Sequence, residues 1–258
     1  MKGIILSDLH SGHLFGLTSA KNISEPNVDD RIHAKAYEWQ IHTWAWFSKQ
    51  IDMIGPIDRL IINGDAIEGK GERSGSTELI TADRNGQVEI AKNVIEYINF
   101  KRLTIVRGTP SHTGEDEDWE DVLADRFGVQ AQDHAWLEHN GIVMDIKHHI
   151  GSTTVPGAIP PALPRETVWT LLWASKDLQP RANVFIRSHL HKFYAVLDDD
   201  FTAIVTPALQ GWTKYGGKRM SKTISYGFIS YEITEKGDFR WTKHLLVPRF
   251  AAAKAEVM

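Results

Sequence analysis

The sequence predicts an α/β protein: a two-sheet β-sandwich flanked by helices, in αββα layers. Three observations carry this expectation. Strand-like and helix-like periods alternate as far as Arg107, successive short strands dominate from Asn183 onward, and polar clusters fall where the strand-like runs end.

Gly3 to Ser7 is a short apolar run that ends in polar residues, the pattern of a buried strand. From Asp30 to Ile54, Tyr37, Ile41, Trp44, Phe47, Ile51 and Ile54 recur at three- and four-residue spacing and predict an amphipathic helix. Arg59 to Asn63 reads as a second strand, Gln87 to Phe100 as a second helix and Leu103 to Arg107 as a third strand, which together make crossover units of a parallel sheet. Glu117 to Phe127 reads as a short helix whose acidic start, with Asp116, Asp118 and Glu120, is expected to face solvent. Asn140-Gly141 predicts a tight hairpin between Trp136–His139 and Gly141–His148, and Arg165 to Asp177 predicts one more helix. Strands are then expected at 183–187, 194–198, 201–207, 226–233 and 239–247. The nine tryptophans fall mostly in these elements and are expected to be core.

With 258 residues, 42% hydrophobic and 24% charged, the chain has the composition of a folded enzyme-sized unit. One domain over 1–258 is expected, with loop insertions near 11–30, 66–84 and 150–164. A formal charge of -4 supplies no overall basic field for nucleic acid. The absence of cysteine excludes disulfides, thiolate metal sites and cysteine nucleophiles, so any metal must be held by nitrogen and oxygen. The opening MKGIILSD is too short an apolar run for a secretory leader and no stretch reaches membrane-span length, so a cytoplasmic protein without a membrane partner is expected.

Five polar clusters lie at the strand ends: Asp8-Leu9-His10, Gly64-Asp65, Gly108-Thr109-Pro110-Ser111-His112, His148-His149 and Ser188-His189-Leu190-His191. Open α/β sheets place their ligands at that end of the strands. In this order the clusters resemble the calcineurin-like metallophosphoesterase family, whose pattern runs Asp-x-His, Gly-Asp, Gly-Asn-His, His, Gly-His-x-His.

The resemblance implies a phosphoric ester hydrolase with two divalent metal ions, Mn first, with Fe, Zn, Co, Ni and Mg as alternatives. Two close cations lower the pKa of a bridging water and neutralise phosphoryl oxygens. By the resemblance, Asp8, His10, Asp65 and His191 hold one metal, and Asp65, a third-motif ligand, His148 or His149, and His189 hold the other. His148 is preferred over His149, because neighbours on a strand point to opposite faces. The third motif departs from the family: its Asn is missing, leaving Ser111, Thr109 or His112 as the replacement ligand. Of these, Ser111 is taken forward as the ligand, and His112 as the residue that assists the leaving group. Ser188 stands where the family has Gly, and His13 is expected to be an ordinary loop histidine.

Two glycine-containing basic loops, around Arg73 and around Lys214 and Lys218, are the expected phosphate-binding segments. They favour a phosphodiesterase or nuclease-like hydrolase acting on a nucleotide or nucleic acid. A phosphomonoesterase of the same fold and a non-catalytic scaffold are the competing readings.

Overall fold

The computed structural model describes residues 1–26, 30–72, 75–114, 118–151, 159–213 and 223–251. Its first sheet runs in the order β11 (Phe239–Leu246), β10 (Tyr226–Ile233), β1 (Lys2–Leu6), β2 (Ile57–Asn63), β3 (Phe100–Val106), β4 (Ala131–Gln132). The strands β1 to β4 are parallel, and β10 and β11 add an antiparallel edge. The second sheet runs β5 (Ala135–His139), β6 (Ile142–Ile146), β7 (Val184–Arg187), β9 (Thr202–Val205), β8 (Tyr194–Leu197), with β6, β7 and β9 parallel.

Strand parity sorts the side chains into three cores, because successive residues of a strand point to opposite faces. Ile5, Ile61, Val184, Ile186, Ile204 and Ile229 fill the space between the sheets. Their neighbours Ile4, Leu6, Leu60 and Ile62 face outward onto α1 (Arg31–Ile54) and α2 (Arg84–Ile95), where Trp39, Phe47, Ile51, Val88 and Val94 cover them. On the other side, Phe185, Ala203 and Val205 face α5 (Ile159–Ala174) through Ala162 and Leu163. Two sheets face to face with helices outside is the layering that the strand and helix periods predict.

Helix ends follow their caps. Asp30 accepts from the amides of Ile32 and His33 to start α1, Asp83 accepts from Asn85 and Gly86 to start α2, and Asp118 accepts from Glu120 to start α4 (Trp119–Asp125). The Asp83 cap opens α2 three residues earlier than the apolar spacing predicts, and Phe100 belongs to β3 rather than to the helix. The turn at Asn140-Gly141 has φ values of 48° and 79°, the left-handed pair that a tight hairpin needs.

Several expectations are corrected. The helix α5 begins at Ile159, within the stretch read as loop, and Pro160 and Pro161 sit in its first turn, where a missing amide costs little. A short helix, α3 (Pro110–Thr113), interrupts the third motif, and β4 pairs through only two residues, too few for a periodic signal. Trp169 and Trp173 are not core: they stand exposed on α5, because Ala162, Leu163 and Thr167 already fill its inward face.

Candidate metal centre

The candidate ligands ride on turns directly after strands. Asp8 and His10 follow β1, Asp65 follows β2, Thr109 and His112 follow β3, His148 follows β6, and His189 and His191 follow β7. Asp8, His10, Asp65, His189 and His191 all have φ between 45° and 70°, a left-handed backbone that bulky residues rarely adopt. Such conformations cost of order 1–3 kcal/mol each and persist only where surrounding structure over-determines them. Here backbone bonds do so: His10 N donates to Asp65 O at 3.0 Å, Asp8 N to Gly64 O at 2.9 Å, and Ser188 N to His148 O at 2.8 Å.

Two glycines make the approach of these turns possible. A Cβ on Gly64 would lie 2.3 Å from His148 Nδ1, and one on Gly108 would lie 2.2 Å from Asp65 Oδ1. Any side chain at either position would push a candidate ligand out of place.

The ligand atoms fall into three groups, each within 4.8 Å: Asp8 with His10 and His191, His10 with Asp65 and His112, and Asp65 with His148 and His189. His191 Nε2 lies 3.2 Å from Asp8 Oδ1 and 3.3 Å from His10 Nε2. His148 Nε2 lies 3.1 Å from Asp65 Oδ2, and His189 Nδ1 lies 4.0 Å from the same oxygen. Two imidazoles are oriented from behind: His148 Nδ1 donates to Asn63 O at 2.7 Å, and His10 Nδ1 pairs with Glu68 Oε2 at 2.7 Å. Each arrangement leaves Nε2 aimed into the centre, as a metal ligand requires.

Burial would raise the Asp8 carboxyl, but His191 and His148 outweigh it and hold the group at about 2. Asp65 is likewise held well below the usual carboxylate range against burial by His148, and Glu68 is held at about 2 against burial by His10. Burial works against a charged His148, yet the Asp65 and Asp8 carboxylates bring it up to about 10. His10 goes the other way, down to about 4, through burial and the neighbouring His112.

The donor set fits divalent metal. It consists of oxygen and nitrogen ligands, and Asp8 Oδ1 is buried without a hydrogen bond, facing only the imidazoles of His191 at 3.2 Å and His148 at 4.0 Å, a carboxylate oxygen that a cation would satisfy. Two mixed sheets packed as a sandwich, with these turns at the carboxyl ends of β1, β2, β3, β6 and β7, complete the pattern. The architecture is a two-sheet α/β sandwich flanked by helices, as the sequence periods predict.

No family model matches the sequence, and no curated protein matches it. Solved structures similar to the chain include wild-type Vps29 complexed with zinc from Entamoeba histolytica, at 12% identity and TM-score 0.47, covering 95% of this chain and 99% of that one. An archaeal phosphodiesterase is 16% identical at TM-score 0.42, covering 95% and 100%. A predicted phosphoesterase from Streptococcus pneumoniae is 12% identical at TM-score 0.37, covering 94% and 97%.

The fold brings together Asp8, His10, Asp65, His112, His148, His189 and His191. It leaves Ser111 exposed on α3, with its hydroxyl 3.4 Å from that of Thr109 and outside all three groups. Thr109 is nearer: its amide donates to Asp65 Oδ1 at 2.7 Å and its hydroxyl at 3.0 Å. His149 is exposed and outside the groups, its ring 4.9 Å from that of His189. Arg73, Lys214 and Lys218 lie outside the described residues. His13 is not a solvated loop residue, being buried with Nδ1 accepting from the amide of Phe15 at 3.0 Å.

Sequence reasoning missed two acids. Glu68 orients His10, and its place three residues after Asp65 in a polar stretch gave little to distinguish it. Glu120 is buried rather than solvated: its carboxylate accepts from the amides of Ala66, at 2.8 Å, and Gly108. It thereby ties the second motif to the third, and burial together with Asp65 raises it to about 8.

Proposed function

We propose that the protein is a dinuclear metal-dependent phosphoric ester hydrolase, most suited to phosphodiesters. The observation that supports this reading above others is the linkage of the three ligand groups, in which Asp65 joins His148 and His189 to His10 and His112, and His10 joins these to Asp8 and His191, so that one carboxylate lies beside both halves of the cluster as a dinuclear centre needs. Asp8, His10 and His191 would complete one site, and His148 and His189 the other. Metal ions held there supply Lewis-acid charge beside phosphorus and an activated water.

The chain's own residues do the rest. Asp8 and Asp65 carry the negative charge that offsets the cations. His112 is the candidate proton donor to the leaving oxygen: its Nδ1 donates to Glu68 O at 3.0 Å, which turns Nε2 toward the cluster. Glu68 Oε2 also lies 3.8 Å from that Nδ1. Thr109 holds Asp65 by two hydrogen bonds to Oδ1, so the third motif would act here by positioning that carboxylate.

The basic loops that carry Arg73, Lys214 and Lys218 favour a nucleotide or nucleic-acid diester as substrate. The deciding measurement is hydrolysis of bis-p-nitrophenyl phosphate against p-nitrophenyl phosphate by metal-depleted protein resupplied with Mn²⁺, with Asp65→Asn alongside. Diester turnover that vanishes in the variant is the expected result. Preference for the monoester would make the protein a phosphomonoesterase. No turnover of either ester with Mn²⁺, Fe²⁺, Zn²⁺, Co²⁺, Ni²⁺ or Mg²⁺ would leave a scaffold.

A further inference from the structure

Behind the ligand turns runs a buried chain of side-chain hydrogen bonds that crosses from one sheet to the other. Asn63 Nδ2 donates to Ser188 Oγ at 2.6 Å, Ser188 Oγ meets Thr206 Oγ1 at 2.7 Å, Thr206 Oγ1 meets Ser7 Oγ at 2.7 Å, and Ser7 Oγ donates to the carbonyl of Pro207 at 3.0 Å. All four side chains are essentially inaccessible to water. Because the amide end can only donate and the carbonyl end can only accept, every hydroxyl in between has one direction. Ser188 donates to Thr206, and Thr206 donates to Ser7.

The positions of these residues give the chain its meaning. Ser7 precedes Asp8, Asn63 stands two residues before Asp65, Ser188 precedes His189, and the Asn63 carbonyl also accepts from His148 Nδ1. Asn63 Nδ2 reaches the carbonyl of Lys147 as well, at 3.2 Å, so the turn that carries His148 is held a second time. Backbone bonds fix neighbouring turns within each sheet, and across the sheets the amides of Leu209 and Ser225 donate to the carbonyls of Asp8 and His191 at 3.1 and 2.9 Å, while the carboxylates come from the first sheet and His148, His189 and His191 from the second. Apolar packing between sheets is non-directional and sets such a spacing only loosely. Directed hydrogen bonds in a dry interior set it closely.

We propose that Ser7, Asn63, Ser188 and Thr206 form a positioning belt that fixes the separation between the ligands of the first sheet and those of the second. Ser188, where the family motif has Gly, is its central link. The belt rests on the metal-centre reading above and deepens it: these are positioning residues, not ligands.

The test is titration of the chelator-treated full chain with Co²⁺, followed by calorimetry and by the visible absorption of the bound ion, with urea unfolding of each metal-free variant as the control for folding. Ser188→Gly and Thr206→Val should weaken Co²⁺ binding about 10- to 100-fold, as loss of a residue that orients ligands from behind does elsewhere. Their Co²⁺ absorption should shift, while the metal-free variants remain fully folded in the absence of urea, with midpoints lowered only by the polar groups left unpaired. Thr206→Ser keeps the hydroxyl and should restore native binding. If Thr206→Val does not fold, Ser188→Gly decides alone. Native Co²⁺ affinity and spectrum in Ser188→Gly would overturn the belt and leave the metal centre standing. Failure of Thr206→Ser to restore binding would also overturn it, and absence of Co²⁺ binding by the native chain would sink both the belt and the metal centre.

Discussion

The ligands carried by the two sheets differ in chemistry and in access to water. The first sheet contributes both carboxylates and His10, all at most 2% exposed, whereas the second contributes only imidazoles, and the side chains of His189 and His191 are 24% and 20% exposed. The first half is therefore a fixed, anionic cradle, held by the turns after β1 and β2 and by Glu120 and Glu68 behind them. In the second half His148 is as buried as the carboxylates, and only His189 and His191 stand open to water, where a phosphate ester would enter on the proposed reading. The contrast teaches that carboxylate charge is kept where water is excluded, while two of the candidate imidazole ligands stay within reach of solvent.

The sharpest way to break this comparison is to remove the shared carboxylate. Asp65→Asn should lower turnover more than ~100-fold, since metal-ion charge stabilisation amounts to several kcal/mol and each ~1.4 kcal/mol is tenfold. His189→Ala, on the open side, should cost less, and its loss should be partly recovered at high metal concentration, measured as turnover against added Mn²⁺. Equal, unrecoverable losses in the two variants would erase the distinction between the halves.

A second test concerns protons. In the metal-free protein the proton on His148 is held by Asp65 and Asp8 up to about 10, so a metal must displace it. Affinity should therefore rise with pH across neutrality, by about tenfold per pH unit for each proton displaced, with proton release visible in calorimetry run in buffers of different ionisation enthalpy. Affinity independent of pH would mean that His148 is not displaced.

Glu120 gives the opposite sign and acts on stability. Its folded-state value is raised from 4.5 to about 8, so its favourable neutral form is fully present below 4.5 and that contribution is lost as pH rises through 8. The urea-unfolding stability of metal-free native protein minus that of Glu120→Gln should fall across this window and level off above it. Glu120→Ala should cost about 1–3 kcal/mol for each amide left unpaired, at Ala66 and Gly108. The smallest effect belongs to Ser111→Ala, within about 0.5 kcal/mol in stability and nearly silent in turnover, because the hydroxyl is exposed.

Much of this site is legible in sequence because its ligands sit at fixed offsets from strand ends. Asp8, His10, Asp65, His148, His189 and His191 each follow a short apolar run, and the runs themselves are readable from parity. What is not legible is anything set by a partner distant in the chain. Glu120 looks like one more acid at a helix start until the turns of Ala66 and Gly108 close over it. Trp169 and Trp173 look like core until α5 shows its inward face already filled.

The third motif illustrates the boundary between the two kinds of information. The amino-acid sequence alone determines that no Asn precedes His112 and that oxygen or nitrogen must serve instead. Only the tertiary structure decides that Thr109, rather than Ser111, reaches Asp65, because a short helix from Pro110 turns Ser111 to solvent. The sequence by itself determined the layered α/β class, the ligand chemistry and the order of the motifs, since these depend on residue type and local period. The distances between ligands, their burial and the groups that orient them depend on contacts across as many as 200 residues of chain, and only folding brings those together.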